Sequence, residues 1–370
     1  MKVRDVCAVL DAWAPPGLAY EGDHVGLSIG APDWHVSRLL VALTVTPRVV
    51  AMAKDVGAQM IVSHHAVLWR PLPALRADDP HTALCLGLAE ARIACFAAHT
   101  NLDLAPGGVN DTLADLFELT SRAPLLRVPH DGQVKLVTFV PESHLAPLRE
   151  ALCEAGAGVI GDYTHCSFSS PGLGTFLPGD AANPFSGEKG LVNEEPERRF
   201  EVLVPKVRLV GVLDALMTAH PYDEPAYDLV CLENRDRQLG LGVRGELAEP
   251  LPLDAFAVKV RTALGLSHVR VFGDAEEPIK KVAVIGGGGG GEVGGVPDDI
   301  DVYVTGDVRY HDAVAAAERG VALIDAGHAG TERCIVPVLQ RFLSEQLEGL
   351  YVDAYEEAED LRVLAVSTTV

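Results

Sequence analysis

The chain is short of positive charge. It carries 30 Lys and Arg against 52 Asp and Glu, a formal net charge of −22 over 370 residues. Non-specific nucleic-acid binding needs Lys and Arg to neutralise phosphates, so the chain is not expected to coat DNA or RNA. A nucleotide as a small substrate stays open, because a divalent metal ion can supply the local positive charge that the protein lacks. Long apolar runs are missing too. No stretch approaches the roughly 18 residues that span a bilayer, so no membrane-spanning helix is expected. Met1 to Leu10 has charges inside its short apolar run and no signal-peptide layout, which makes a cytoplasmic protein the expectation. The seven cysteines, Cys7, Cys85, Cys95, Cys153, Cys166, Cys231 and Cys334, are odd in number and form no C-x-x-C pair. Most lie in apolar runs and read as buried thiols, with Cys166, in a Gly-rich stretch, standing apart. No tandem repeat is present, and the only low-complexity segment is a run of glycines.

What is present is the composition of a globular protein, 48% hydrophobic and 22% charged. The length exceeds one ordinary core, so two domains are expected. Residues 1–129 alternate helical and strand patterns: a helix over Val3–Trp13, strands over Arg38–Thr46, Met60–Ser63 and Ile93–Ala98, and helices over Val49–Val56, Thr82–Ala91 and Val109–Phe117. This is the rhythm of a largely parallel sheet. The texture changes over residues 130–234. A strand over Lys135–Pro141 and a helix over Leu145–Ala155 lead into a Gly, Pro, Ser and Asn-rich stretch, 161–196, read as loops. A strand over Arg199–Pro205, a helix over Leu209–Ala219 and a strand over Ala226–Leu232 follow, an order that suits a ferredoxin-like α+β module. The first texture returns over 235–370, with strands over Lys281–Ile285, Val302–Thr305 and Val321–Ile324. The expected architecture is one discontinuous α/β domain with a mixed or parallel sheet, interrupted at an exposed loop by the smaller module.

Three of these strands end in metal-ligating residues. Met60 to Ser63 runs into His64-His65, Ile93 to Ala98 into His99-Thr100-Asn101-Leu102-Asp103, and Val321 to Ile324 into Asp325-Ala326-Gly327-His328 with Glu332 four residues on. The carboxyl ends of strands are where sites sit in open α/β sheets. On an extended chain His64 and His65 would point in opposite directions, which suits two neighbouring ions better than one. His328 and Glu332, at i, i+4, share a helix face if the helix opens at Gly327-His328. Glu332 is then the carboxylate placed to bridge two ions. His99 four residues before Asp103 favours Asp103 as a ligand, whereas Asp111 reads as a turn or helix-cap acid. Three imidazoles and two carboxylates suit Zn, Mn, Fe, Co or Ni, and a Cys-poor mixed set reads as catalytic. Asp307, in Thr305-Gly306-Asp307, caps a helix or supports a ligand, and His99, Asp307 and His311 are the candidate bases. The six glycines Gly286 to Gly291 satisfy G-x-G-x-x-G trivially and are not followed by Lys-Ser/Thr, so no Walker A loop is present; a mobile rim near the site is the better reading. His220-Pro221-Tyr222-Asp223-Glu224-Pro225, with two prolines, reads as a rigid turn.

The strings Gly22-Asp23-His24-Val25-Gly26-Leu27, Ser63-His64-His65, His99-Thr100-Asn101-Leu102-Asp103, Gly107-Gly108-Val109-Asn110-Asp111, Thr305-Gly306-Asp307 and Ala326-Gly327-His328 resemble the Ngg-interacting-factor-three-like proteins, also called GTP cyclohydrolase I type 2 homologues. The resemblance covers nearly the whole chain, and the module at 130–234 resembles the PII/CutA-like insert of the long bacterial members. It implies two divalent metal ions held by His64, His65, Asp103, His328 and Glu332, with Glu332 bridging. It also implies a ring-shaped homohexamer with its sites facing an internal cavity. Ala66, Ala329-Gly330 and Gly288 to Gly291 depart from the family's pattern without removing a ligand. Two functions follow as expectations. One is a metal-dependent hydrolase acting on a small nucleotide- or pterin-like molecule. The other is a non-enzymatic metal-handling or ligand-sensing regulatory assembly.

Overall fold

The computed structural model describes residues 1–128, 132–236 and 239–356. It divides into two compact units, Met1–Val128 with Gln238–Val370, and Pro129–Arg237. The junction read from sequence at 129/130 lies outside the described residues, and that at 234/235 falls at the end of the strand Tyr227–Arg235.

The larger unit contains two mixed sheets. In the first, the spatial order is Gly26–Ile29, Ala94–Ala97, Met60–Ser63, Arg38–Ala42 and Tyr351–Ala354. All neighbours are parallel except the first pair. The three central strands are wholly or almost wholly buried, which is why they read as unbroken apolar runs. Leu40, Ile61, Cys95, Val49 and Leu88 pack into one core on this sheet. The strand expected over Arg38–Thr46 stops at Ala42 because Thr46 caps the next helix: its hydroxyl accepts from Val49 N at 3.3 Å, and Pro47 opens the helix. Gly57 ends that helix at φ 70°.

The second sheet runs Arg270–Phe272, Ala322–Asp325, Val302–Thr305, Pro278–Val284, Leu241–Pro252 and Thr120–Leu126. Its three middle strands from Ala322 to Val284 are parallel, and the outer ones are antiparallel. Tyr303, Ala283, Leu323 and Val296 form its core on one face. The strands Thr120–Leu126 and Leu241–Pro252 escape a reading of apolar periodicity. The second carries Gly242, Gly245, Pro250 and Pro252, and its pairing slips between Glu246 and Leu251.

The smaller unit follows the order strand, helix, strand, strand, helix, strand: Gly132–Val140, Leu145–Glu154, Ser167–Phe176, Asn193–Pro205, Leu209–Ala219, Tyr227–Arg235. Its antiparallel sheet runs Ser167–Phe176, Asn193–Pro205, Gly132–Val140, Tyr227–Arg235 in space. Both helices pack on one face through Leu148, Leu152, Val212 and Leu216 against Leu136, Phe200 and Val202. The stretch 161–196, expected as loops, contains the strand Ser167–Phe176 and the start of Asn193–Pro205. Pro171, Gly172 and Gly174 hid the first. It is an edge strand, where a proline's missing N–H removes no bond from the sheet interior.

No described helix is long and apolar enough to cross a membrane. Of the thiols expected to be mostly buried, Cys85 and Cys95 are; Cys7, Cys153, Cys166 and Cys334 are half-buried, Cys231 is exposed, and all seven are free.

Candidate metal centre

The adjacent parallel strands Met60–Ser63 and Ala94–Ala97 end at the same edge of the first sheet. His64 and His65 leave one, and His99 leaves the other. From the second sheet, Ala322–Asp325 delivers the short helix His328–Glu332. All these residues belong to the larger unit.

The donor atoms of His64, His65 and His328 converge on Glu332, which is 3% exposed. Its Oε2 lies 2.8 Å from His65 Nε2 and 3.3 Å from His328 Nε2. Its Oε1 lies 3.5 Å from His64 Nε2, which in turn lies 3.6 Å from Asp103 Oδ1. His64, His65 and Glu332 thus form a compact group with donor atoms within 4.8 Å of one another, with Asp103 on one side and His328 on the other. The expectation that His64 and His65 point oppositely does not hold. The chain bends after Ser63, the ring centroids are 5.3 Å apart, and both rings turn toward Glu332, each to a different oxygen.

Each imidazole is oriented from behind. His64 Nδ1 donates to the Ala98 carbonyl at 2.8 Å, which aims Nε2 inward. Thr44 Oγ1 lies 2.7 Å from His65 Nδ1. Asp307 Oδ2 lies 2.8 Å from His328 Nδ1, and Asp307 takes a left-handed backbone, φ 56°, to reach it. His99 is held in the same way, its Nδ1 2.9 and 3.0 Å from the two oxygens of Asp23, and its ring stands 5.4 Å from that of His64. His311 is exposed with its ring against Tyr310. Asp325 is engaged by Gly327 N at 2.9 Å, Val308 N at 3.2 Å and the Arg270 guanidinium, so it shapes the turn into His328. Asp111 accepts from Gly107 N at 2.6 Å, the turn role expected of it.

The glycine run is a tied-down wall. Gly286 N donates to Asn110 Oδ1 at 2.9 Å and Gly287 N to Thr331 Oγ1 at 2.8 Å. Gly287 has φ 71°, and a Cβ there would lie 2.1 Å from Glu332 Oε1. The expectation of a mobile rim is corrected for these residues: glycine is required because backbone passes directly beside the carboxylate. Asn110, Thr44, Thr331 and Asp23 act on the site although no ligand pattern in the sequence singles them out. Asn110 joins the helix Val109–Leu116 to the glycine wall and also donates to Asp103 O at 2.8 Å.

Two buried polar atoms at the centre, His64 Nε2 and Asp103 Oδ1, have no hydrogen-bond partner among the described residues. Each would cost about 1–3 kcal/mol if left so. Donor atoms about 2.1 Å from a shared ion at tetrahedral angles stand roughly 3.4 Å apart. The 3.3, 3.5 and 3.6 Å separations match that spacing, whereas His65 Nε2 and Glu332 Oε2, 2.8 Å apart, are at direct hydrogen-bond distance; mixed imidazole and carboxylate donors suit a borderline divalent cation. The electrostatics point the same way. Burial alone would push Glu332 up, but His328, His64 and His65 hold it well below the usual carboxylate range. Burial pushes His64 down, but the charges of Asp103 and Glu332 outweigh it and lift the group to about 9. His328, beside the Glu332 and Asp307 carboxylates, is likewise raised to about 9. Asp103 is raised by burial to about 6. The cluster attracts positive charge.

Comparison with known proteins places these features. Residues 1–359 match the family model described as Duf34/NIF3 (NGG1p interacting factor 3). The chain is 38% identical over 363 residues to the Halalkalibacterium halodurans "GTP cyclohydrolase 1 type 2 homolog", covering 97% of this chain and 96% of that protein. It is 40% identical over 337 residues to the Mycobacterium tuberculosis protein of the same name, covering 90% and 88%. Among solved structures, a Bacillus cereus protein related to NIF3 superposes with a TM-score of 0.84 at 36% identity, covering 99% of both chains. A Staphylococcus aureus protein superposes at 0.71 with 28% identity over 99% of both.

Proposed function

We propose, from the premise that this chain belongs to the Duf34/NIF3 family, that it holds two divalent metal ions and hydrolyses a small nucleotide- or pterin-like molecule. The observation that carries the reading is the split environment of Glu332. One oxygen faces His64 and, beyond it, Asp103; the other faces His65 and His328. His64 and Asp103 would hold one ion, His65 and His328 the other, and Glu332 both. Such ions, when bound, lower the pKa of water and polarise carbonyl or phosphoryl oxygens. The substrate class rests on the relatives' name, GTP cyclohydrolase 1 type 2 homolog.

The chain's own groups supply orientation and proton handling. The Ala98 carbonyl, Thr44 and Asp307 fix the imidazoles. Asp23 holds the Nδ1 proton of His99, so that Nε2 is the basic atom, and the ring stands 5.4 and 5.9 Å from those of His64 and His65. His99 is therefore the base of this reading, ahead of Asp307, which is engaged by His328, and of exposed His311. A cytoplasmic homohexamer belongs to the same reading. So does a ferredoxin-like, PII/CutA-like insert, which the strand order and one-sided helices of the smaller unit support.

The test is metal analysis of purified protein, then hydrolysis screens on nucleotides and pterins with the metal stripped and restored. Turnover that follows the metal and falls in His99→Ala supports the reading. Tight metal binding without turnover across the screen contradicts it and favours the metal-handling or ligand-sensing alternative.

A further inference from the structure

The inserted unit carries a cavity of about 690 Å³ on the sheet face opposite its helices. Side chains alternate across a strand, so the residues between the core-facing Phe200 and Val202 and their partners turn the other way. Arg199 is paired with both Phe139 and Ser170, and Glu197 with Gly172, so these residues share that second face. The volume lies within the roughly 300–1,000 Å³ of small-molecule sites.

The floor is bare backbone. A Cβ on Gly172 would meet nothing within 4 Å, and the nearest atoms to one on Gly174 would be those of the Glu197 carboxylate. Aromatic walls rise from it: Phe139, with the Arg199 guanidinium 5.8 Å from its ring centroid, and the pair Phe185 and Tyr222, 6.0 Å apart. The walls are fastened. Buried His220 lies 3.0 Å, through Nε2, from the Phe139 carbonyl and accepts from Tyr222 N at 3.2 Å. Asp223 takes Asn183 N at 3.0 Å, tying the 177–192 segment to the His220–Ala226 turn. Tyr222 OH donates to Glu197 Oε1 at 2.7 Å, which fixes the carboxylate across the glycine floor.

We propose that this face is a binding site for a planar, uncharged or cationic nitrogen heterocycle that offers adjacent N–H donors to Glu197. Three observations set the class. The glycine floor and aromatic walls fit a flat ring. Glu197 is an acceptor with one oxygen fixed by Tyr222 and the other over Gly174. The lining carries the carboxylates Glu197, Asp223 and Glu224 against one guanidinium, Arg199, which itself donates to Glu201 at 2.9 Å. Anionic ligands, phosphates included, are repelled. The face belongs to the smaller unit and the metal centre's residues to the larger, so the proposal does not depend on the metal chemistry.

The experiment is calorimetric titration of the full-length protein with 2-aminobenzimidazole, a flat cation with adjacent N–H donors, and with 2-naphthoate, a flat anion of similar size. The cation should bind one per chain, and the anion at least about 10-fold more weakly, the scale of a hydrogen bond to a charged group. Glu197→Gln, whose amide oxygen can still accept from Tyr222, should weaken the cation about 10-fold. Gly172→Phe, which fills the open floor, should abolish binding with metal content unchanged. Should Gly172→Phe unfold the protein, Glu197→Gln decides. No binding of 2-aminobenzimidazole, preference for 2-naphthoate, or unaltered binding in a folded Gly172→Phe would each overturn the proposal. So would a change of sedimentation in Gly172→Phe without any effect of the cation on the unmutated protein, which would assign the face to a second copy of the chain.

Discussion

Buried His64 and Glu332 face each other through Nε2 and Oε1 across 3.5 Å, a distance longer than a normal hydrogen bond. The other nitrogen of His64 is fixed on the Ala98 carbonyl, so the ring cannot turn to seek another partner. Glu332→Gln keeps the shape and removes the charge that offsets metal cations. Metal titration should show affinity lost at both ions, by at least about 100-fold, the scale of breaking a buried charge pair. Asp103→Asn should weaken mainly one ion. If Glu332→Gln binds as tightly as the unmutated protein, Glu332 is not the bridge.

Among the described residues, the hydrogen bond from Asp307 to the centre runs through His328 Nδ1, at 2.8 Å. Asp307→Ala should therefore reduce metal affinity by about 10–100-fold, as loss of an orienting partner does, without changing the number of ions bound. Titration under chelator competition reads both quantities. Loss of a whole equivalent would instead make Asp307 a ligand.

Gly287→Ala tests the wall. Its Cβ would meet Glu332 Oε1 at 2.1 Å, on a backbone at φ 71°. Denaturant unfolding should show a loss of about 1–3 kcal/mol from backbone strain, and metal binding should fall with it. An unchanged midpoint with full metal content would contradict the close approach.

The acid–base behaviour has a definite sign. His64 and His328 are raised to about 9 in the metal-free protein, above the roughly 6.5 of an unfolded imidazole. Their protonation stabilises the fold fully below about pH 6.5, and that contribution disappears as pH rises through about 9. Glu332, depressed, is ionised throughout this window. Metal must displace those protons, so metal affinity should rise over the same interval. Urea unfolding from about pH 6.5 to 9 should show stability falling in stripped protein and not in metal-loaded protein. Parallel curves would contradict this.

Leu126 pairs with Leu241 across two antiparallel strands, so the chain leaves and re-enters the larger unit at neighbouring points. Replacing Pro129–Arg237 by a short turn should leave a folded, metal-binding protein, because all five candidate ligands lie outside the insert. Absence of metal in a variant with a cooperative thermal transition would count against it.

The strands that carry the site were legible because burial on both faces makes them continuous apolar runs ending in polar residues, as in Met60–Ser63 before His64. The i, i+4 spacing of His328 and Glu332 survives as one short helix. Edge and bulged strands were not legible. Ser167–Phe176 and Leu241–Pro252 contain Gly and Pro that periodicity treats as breaks. The direction of His65 was misjudged because a bend after a strand breaks the alternation of an extended chain. The contacts of Asn110, Thr44 and Asp23 join segments far apart in sequence, which spacing alone cannot reveal.

The most direct measurement is elemental analysis of the unmutated protein, saturated with each candidate metal and desalted. A centre split between the two oxygens of Glu332 predicts two ions per chain, falling to about one in His64→Ala. A single equivalent at saturation would contradict the dinuclear centre.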